Sequence, residues 1–329
     1  MTGKKALIVV VLGLLVLACV YWFLAEKESP LESNELTDKS QKNEKSKTVI
    51  AEKQQKLSKR VVSDDSSSPV QYAEAKTCEQ LNQQCPECES EFNILMEDIF
   101  INVEDLAATG SYSTMPIESL ASLADSKDTS AMLVQGTDLL WDAVLGVRMM
   151  NRSKQYTDAQ VRDIVKQHKI DFEQFEKGER LLYQAAALGR FGALMELVQI
   201  HGLLQRQLVK KAYDAETIEA VLVNKWAHQK LFKAVHQNDQ FLWQSIDYTS
   251  LNRRDRETLA TLHADKTESE IESLLSDLES RSQKLFLELK QAWVKDREYL
   301  GEDAFPKLMQ RKLEDYSLQA QKLCWNTQS

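Results

Sequence analysis

Glycine and proline are scarce in this chain, which has 10 glycines and 5 prolines among its 329 residues. Both residues interrupt or end regular structure, so their scarcity favours helices. Segments in which apolar and polar residues alternate with the period of two expected of a half-buried strand are also missing. We therefore predict an all-α fold.

Positive charge is in deficit, because 41 Lys and Arg residues against 50 Asp and Glu residues give a formal net charge of -9. Proteins that bind nucleic acids rely on clustered Lys and Arg side chains, which neutralise the phosphate backbone. An acidic balance argues against that mode of binding. We expect no nucleic acid among the partners of this protein.

Enzyme motifs are missing as well. No H-E-x-x-H motif, glycine-rich phosphate loop or G-x-S-x-G nucleophile elbow occurs in the sequence. Acidic pairs such as Glu173 and Glu176 have the pattern of a solvated helix face. We therefore predict no catalytic residue, no metal site and no cofactor, and we expect a protein that is not an enzyme. A cell-wall or redox enzyme is the less favoured alternative.

The histidines show no metal-ligand spacing. They are His168, His201, His228, His236 and His263. Histidines without such a pattern lie most often at the surface or at the edge of the core. We predict such positions for all five.

One long apolar run stands near the N-terminus, where residues 6–25, "ALIVVVLGLLVLACVYWFLA", contain no charge. At a rise of 1.5 Å per residue, twenty helical residues cross about 30 Å of hydrocarbon. Lys4 and Lys5 precede the run, and the positive-inside tendency keeps such flanks in the cytoplasm. We predict a cytoplasmic tail at 1–5, a single transmembrane anchor at 6–25, and the bulk of the chain beyond the membrane.

Two other readings of the N-terminus remain open. A cleaved secretory signal would have a shorter apolar region, whereas this run continues past Cys19 to Ala25. The segment "VLAC" resembles the lipobox of bacterial lipoproteins, in which Cys19 would carry the lipid. Leu17 is atypical for that motif, and "VYWFLA" is too apolar to follow it. The anchor and the lipoprotein both leave the protein attached to a membrane.

Residues 26–75 change sharply in composition, to Lys, Glu, Ser, Gln and Asn with few large apolar side chains. Such a segment cannot bury enough surface to offset the entropy lost on ordering. We predict a flexible polar linker, which as a coil would let the following domain reach about 40 Å from the bilayer. That reach suits a partner in the periplasm or the cell wall.

Four cysteines belong to the helical domain predicted at 76–329. They are Cys78, Cys85, Cys88 and Cys324. Outside the cytoplasm they are expected to form structural disulfides, for which three pairings are possible. Joining Cys324 to the N-terminal group would close a long loop and stabilise the fold by a few kcal/mol. The "CPEC" segment also has the spacing of a redox motif, and four thiolates could hold zinc, but both signals are weak.

Capping boxes mark the starts of two helices. Thr157 is followed by Gln160, and Thr267 is followed by Glu270, at the spacing of a side chain that caps the third helical residue. The second box opens a long amphipathic helix predicted from Glu268 to about residue 300. Serines at 280 and 282 break its apolar stripe, which argues against a sustained coiled coil.

The stretch "ERLLYQAAALGRFGALMELVQI", residues 179–200, places small residues between leucines at helical spacing. Gly189 stands where a helix would end in a left-handed cap, and Ala193 follows it by four residues in the next helix. Ala185, Ala186 and Ala193 have little volume, so the two backbones can approach closely. We predict two helices that turn back on each other.

This stretch resembles the Sel-one-like repeat, a relative of the tetratricopeptide repeats, through Ala185, Ala186, Gly189, Ala193 and Leu197. Val198 departs from the pattern, since it stands where that family has its second glycine.

An earlier segment has residues in the same phase at Ala124, Ala131 and Gly136, with Lys127 in place of the helix-ending glycine. The resemblance covers residues 119–202. It implies stacked antiparallel helical pairs, and the 62 residues between Ala131 and Ala193 imply an insertion at about 151–170.

Members of that family commonly bind proteins, so the resemblance implies a scaffold or adaptor for protein partners. If a groove exists, eight apolar residues could line it, although core packing is the more common fate of such residues. They are Leu182, Tyr183, Phe191, Met195, Trp226, Phe232, Phe241 and Trp243. The alternative is a structural protein that self-assembles through its long helix. The anchor, linker and cysteines together predict a bacterial inner-membrane protein whose bulk faces the periplasm.

Overall fold

The structure is a computed structural model that describes residues 75–99, 112, 115–149, 156–246 and 253–325, apart from the side chains of Asp98 and Arg253. The predicted cytoplasmic tail, the anchor at 6–25 with Cys19, and the linker up to residue 74 lie outside these residues. Within the described ranges, no helix combines the length and apolarity needed to cross a membrane.

All regular structure in the described ranges is helical, which confirms the predicted all-α class. The helices are α1 Cys78–Gln84, α2 Cys88–Ile99, α3 Ile117–Asp125, α4 Thr129–Leu145, α5 Asp158–Gln167, α6 Phe172–Ala187, α7 Gly192–Lys210, α8 Ala215–Val235, α9 Gln240–Ser245, α10 Arg253–Leu262, α11 Glu268–Tyr299 and α12 Arg311–Ala320. A short π-helical turn, Gln321–Trp325, follows α12.

The chain divides into two compact units, one of residues 1–78 with 319–329 and one of residues 79–318. The described part of the first unit is 75–78 and 319–325, and it contains the disulfide between Cys78 and Cys324. The second unit holds α2 to α11 and its own core. The disulfide between Cys85 and Cys88 belongs to the second unit.

Helices of the second unit pack mainly on their neighbours along the chain, although α4 also contacts α7, and α11 also contacts α6 and α10. α3 packs on α4, α4 on α6, α6 on α7, α7 on α8, and α8 on α11. Because the links α3–α4, α6–α7 and α7–α8 contain only three or four residues, these neighbours run antiparallel. The core side chains include Leu140, Leu182, Leu197, Leu222, Trp226 and Leu275, all of which are buried.

Left-handed residues follow five of the described helices, namely Lys127, Gly146, Gly189, Ala212 and Gly301. Gly189 has φ 103°, and the amides of Gly189 and Arg190 donate to the carbonyls of Ala186 and Ala185 in a Schellman turn. The cap that we predicted at Gly189 is therefore correct. Lys127 after α3 and Ala212 after α7 make the same turn with φ values of 65° and 53°. The turn thus forms at Lys127 although glycine is missing there.

Both predicted capping boxes are present. The Thr157 hydroxyl accepts from the amide of Gln160, and the Gln160 side chain accepts from the amide of Thr157. Thr267 and Glu270 make the same reciprocal pair at the start of α11. α5 lies inside the predicted insertion, and α11 ends at Tyr299, close to the predicted end.

A close helix contact lies between α4 and α6, where Gly136 and Gly178 face each other. A Cβ added at Gly178 would lie 2.6 Å from Cγ of Leu140 and 2.9 Å from the carbonyl oxygen of Gly136. A Cβ at Gly136 would lie 2.8 Å from Cδ2 of Leu182. All three distances are shorter than real Cβ contacts, so the two helices can touch this closely only because side chains are missing at both positions.

We expect Gly178→Ala to destabilise the fold by about 1 to 3 kcal/mol, because the new methyl group overpacks the α4–α6 contact. This loss should exceed the gain of about 1 kcal/mol in helix propensity. Gly202 in α7 provides the control, since the nearest atom to its added Cβ is 3.7 Å away. Gly202→Ala should stabilise by about 0.5 to 1 kcal/mol in urea unfolding followed by circular dichroism. Two glycine variants of equal stability would contradict the close contact.

Candidate functional site

The residues that carry the repeat resemblance sit where the helical pairs pack. Seven of the eight are buried, and the eighth, Gly189, forms the turn between α6 and α7. The buried seven are Ala124, Ala131, Gly136, Ala185, Ala186, Ala193 and Leu197. Their burial places these seven residues in the core of the second unit. Gly178, which the sequence reading missed, is the partner of Gly136 in that stack.

The eight apolar candidates for a groove lie mostly in the core. Leu182, Phe191, Trp226, Phe232 and Phe241 are buried. Trp243 differs from them, since 40% of its surface is exposed. Core packing, the more common fate, therefore accounts for most of this set.

Three of the five histidines are buried, which corrects the predicted positions at the surface or the core edge. His201, His228 and His236 all lie in the core. The prediction was wrong because it treated each histidine alone. His201 follows Leu197 by four residues and His236 follows Phe232 by four, so each continues an apolar stripe of its helix.

Two of the buried histidines form a cluster with Glu179. Nε2 of His201 lies 2.8 Å from Oε1 of Glu179, and its Nδ1 lies 2.7 Å from the carbonyl oxygen of Leu197. The His201 ring stacks on His228 at a centroid distance of 4.9 Å. Burial acts to raise the pKa of Glu179, but the hydrogen bond and charge of His201 outweigh it and hold that pKa below its usual range. Burial, followed by the charge of His201, lowers the pKa of His228 to about 4.

His236 occupies an aromatic part of the core. Its ring makes edge contacts with Phe191 and Phe232 at centroid distances of 6.0 and 5.0 Å. Among the described residues, neither ring nitrogen has a hydrogen-bond partner. Burial lowers the pKa of His236 to about 3, so the ring is neutral near pH 7.

A buried ion pair links three helices. Nζ of Lys225 on α8 lies 2.6 and 2.7 Å from the two carboxylate oxygens of Asp255 on α10. The same carboxylate accepts hydrogen bonds from Nε1 of Trp226 and Nε2 of Gln205, at 2.9 and 3.1 Å. Burial lowers the pKa of Lys225, while Asp255 acts against that shift. Four polar groups thus satisfy one another where α7, α8 and α10 meet.

The cysteines form two disulfides, one of the three pairings that the sequence leaves open. Cys78 joins Cys324 across a sequence separation of 246, and Cys85 joins Cys88. The Cys85 and Cys88 side chains are buried, so solvent cannot reach the "CPEC" sulfur atoms in this state. The part of the chain that the structure describes contains no group of three or more His, Cys, Asp or Glu side chains placed to hold a metal ion.

The outer face of α6 is an exposed surface on the helix that contains Ala185 and Ala186. It carries Phe172, Glu176, Arg180 and Gln184 at intervals of four residues, and all four are exposed. The opposite face of the same helix buries Leu182 and Ala185. We call the four exposed residues the α6 face.

The fold defines the class of protein only broadly, since the regular structure in the described residues is all helical. Comparisons with protein-family models, curated proteins and solved structures found no match to this chain. The resemblance to Sel-one-like repeats therefore stays a prediction from the sequence.

Proposed function

We propose that this protein is a helical scaffold that is held at a membrane through residues 6–25 and binds another protein outside the cytoplasm. The observation that carries the proposal is the serial packing of α3, α4, α6 and α7 around small residues. Helical pairs stacked in this way bury their inner faces against one another and offer the outer faces as a continuous surface for a partner.

The two disulfides support a location of the helical domain outside the cytoplasm. Disulfides persist in oxidising environments and are rare in the cytosol. The Cys78–Cys324 and Cys85–Cys88 pairs fit a chain whose domain lies beyond the membrane. The uncharged run at 6–25, preceded by Lys4 and Lys5, supplies the attachment and its orientation.

The α6 face is the part of the surface that we assign to the partner. Protein interfaces are enriched in aromatic and Arg side chains, which contribute much of the binding energy. Phe172 and Arg180 supply both kinds, with Glu176 between them on the same stripe. A partner that covers Phe172 and pairs with Arg180 and Glu176 would contact both the aromatic and the charged side chains of the α6 face.

Site-specific photocrosslinking in intact cells tests this assignment. A benzoylphenylalanine placed at Glu176 is expected to give one discrete adduct with a second protein, and Arg180→Glu should lower its yield at least fivefold. Matched probes at Glu288 and Gln291, which are exposed on α11, should give little adduct. Equal adducts from α6 and α11 would remove the α6 face as the binding surface. Adducts only between two copies of this chain would favour the self-assembling alternative.

A further inference from the structure

A cleft opens where the C-terminal ends of α5 and α7 meet. Its volume is about 380 Å³, within the range of about 300 to 1,000 Å³ that is common for small-molecule sites. Four lysines line it, namely Lys166, Lys169, Lys210 and Lys211, together with His168 and Tyr213. The lining contains no carboxylate. On a chain with a net charge of -9, this is a concentrated positive site.

Lys211 holds the two sides of this lysine cleft together. Its Nζ donates to the carbonyl oxygens of Val165 and His168, each at 2.7 Å, and so fastens the end of α5 to the end of α7. Burial and the neighbouring charge of Lys210 lower the pKa of Lys211. Lys211 is thus a positioning residue, whereas Lys166, Lys169 and Lys210 are exposed and can turn toward a ligand.

The positive charge of the cleft exceeds what its surroundings neutralise. Within the described residues, none of the four lysines forms an ion pair with a carboxylate. The aspartates of the adjoining loops, Asp171 and Asp214, lie outside the lining of the cleft and cap α6 and α8 through the amides of Gln174 and Thr217.

Lysines are favourable at helix C-termini, which offers a purely structural reason for this cluster. Each helix C-terminus carries about half a negative charge, so the C-termini of α5 and α7 offset about one of the four positive charges. About three positive charges remain in a concave site. Stabilisation of helix ends therefore does not account for the whole cluster.

We propose that the lysine cleft binds an anion that carries two or more negative charges on phosphate groups. The lysine ammonium group is a compact charge with three donors and is a common phosphate ligand. Three exposed lysines around one cleft can contact several phosphate oxygens at once. The phosphate groups belong to a free phosphorylated molecule or to a lipid headgroup, and both sources present the same chemistry to the lysines.

Isothermal titration calorimetry on the full chain in a neutral detergent tests the site. Inorganic pyrophosphate and dihexanoyl phosphatidic acid are the two probes, at about 50 mM salt because such binding weakens with ionic strength. The expected result is binding that falls at least about tenfold in Lys169→Gln/Lys210→Gln, since each substitution removes one charge-assisted contact. Tighter binding of pyrophosphate assigns a free molecule, and tighter binding of phosphatidic acid assigns a headgroup; either result supports the site.

Lys284→Gln/Lys295→Gln is the matched control, because both lysines are exposed on α11 and the change in net charge is the same. It should bind both probes as the unaltered chain does. Circular dichroism of both double variants checks that they fold, which is expected because all four side chains are exposed. Failure of both probes to bind the unaltered chain would overturn the proposal. Equal weakening in the two double variants would also overturn it, because binding would then follow net charge alone.

Discussion

Acidification from pH 7 to pH 4.5 is expected to cost the protein about 2 to 3 kcal/mol of stability relative to a His236→Phe variant. His236 is fully buried between Phe191 and Phe232, where burial lowers its pKa to about 3. In the unfolded chain the same ring has its ordinary pKa of about 6.5. Each unit of difference corresponds to about 1.4 kcal/mol, so protonation of the unfolded state draws the equilibrium toward unfolding.

The sign follows from which state binds the proton. Between pH 6.5 and pH 3 the unfolded state holds more protons at His236 than the folded state, so stability rises with pH across that window. The contribution of the neutral ring is complete above pH 6.5 and is lost as the pH falls. His228, with a pKa of about 4, acts in the same direction. Asp239 acts in the opposite direction, because burial raises its pKa to about 6.

Comparing two proteins at each pH isolates His236, because the contributions of His228 and Asp239 are common to both. The measurement is urea unfolding of the unaltered chain and of His236→Phe at pH 7, 6, 5 and 4.5. Ile271→Val is the control, since it removes one buried methyl group and should cost about 0.5 to 1.5 kcal/mol equally at every pH. A stability difference between the unaltered chain and His236→Phe that stays constant with pH would show that His236 titrates normally in the fold.

Removal of the Asp255 carboxylate is expected to cost about 3 to 5 kcal/mol. Asp255→Ala leaves the Lys225 ammonium group buried without its counter-charge and leaves the Trp226 indole without its acceptor. A charge that is buried without a partner costs far more free energy of folding than the intact ion pair contributes to stability. Chemical unfolding at pH 7 gives the free energy directly.

Replacing both Lys225 and Asp255 tests whether the loss of stability in Asp255→Ala comes from the unpaired charge of Lys225. Lys225→Met/Asp255→Leu fills similar volume with apolar groups, so we expect it to lose much less stability than Asp255→Ala loses alone. The surface pair Lys177–Glu173 is the control, because its atoms lie 2.8 Å apart but both side chains are mostly exposed. Lys177→Ala should change stability by less than about 0.5 kcal/mol. Losses of similar size in Asp255→Ala and Lys177→Ala would mean that solvent screens the Asp255 charge.

Local patterns in the sequence were sufficient to predict the helices and several of their ends. Capping boxes and a helix-ending glycine act through hydrogen bonds within a few residues, so Thr157, Thr267 and Gly189 could be read without a structure. The turn at Lys127 shows the limit of such reading. Glycine is the usual residue there, yet the neighbouring helices hold a lysine in the left-handed conformation.

The buried polar groups and the lysine cleft could not be predicted from local sequence patterns. Gln205 and Asp255 are 50 residues apart in sequence but share a hydrogen bond. Lys166 and Lys210 look like ordinary helix-end lysines in the sequence, and they line one cleft only because α5 and α7 end side by side. Their shared position depends on packing across distant segments, which no local pattern encodes.

The amino-acid sequence by itself determined the all-helical class, several helix ends and the small residues of the helix stack, because these depend on interactions between residues close in the chain. Only the tertiary structure decided which histidines lost water, which cysteines paired and which charges came together. The physical reason is that burial and electrostatic coupling depend on distances in space, and helices far apart in sequence set those distances when they pack.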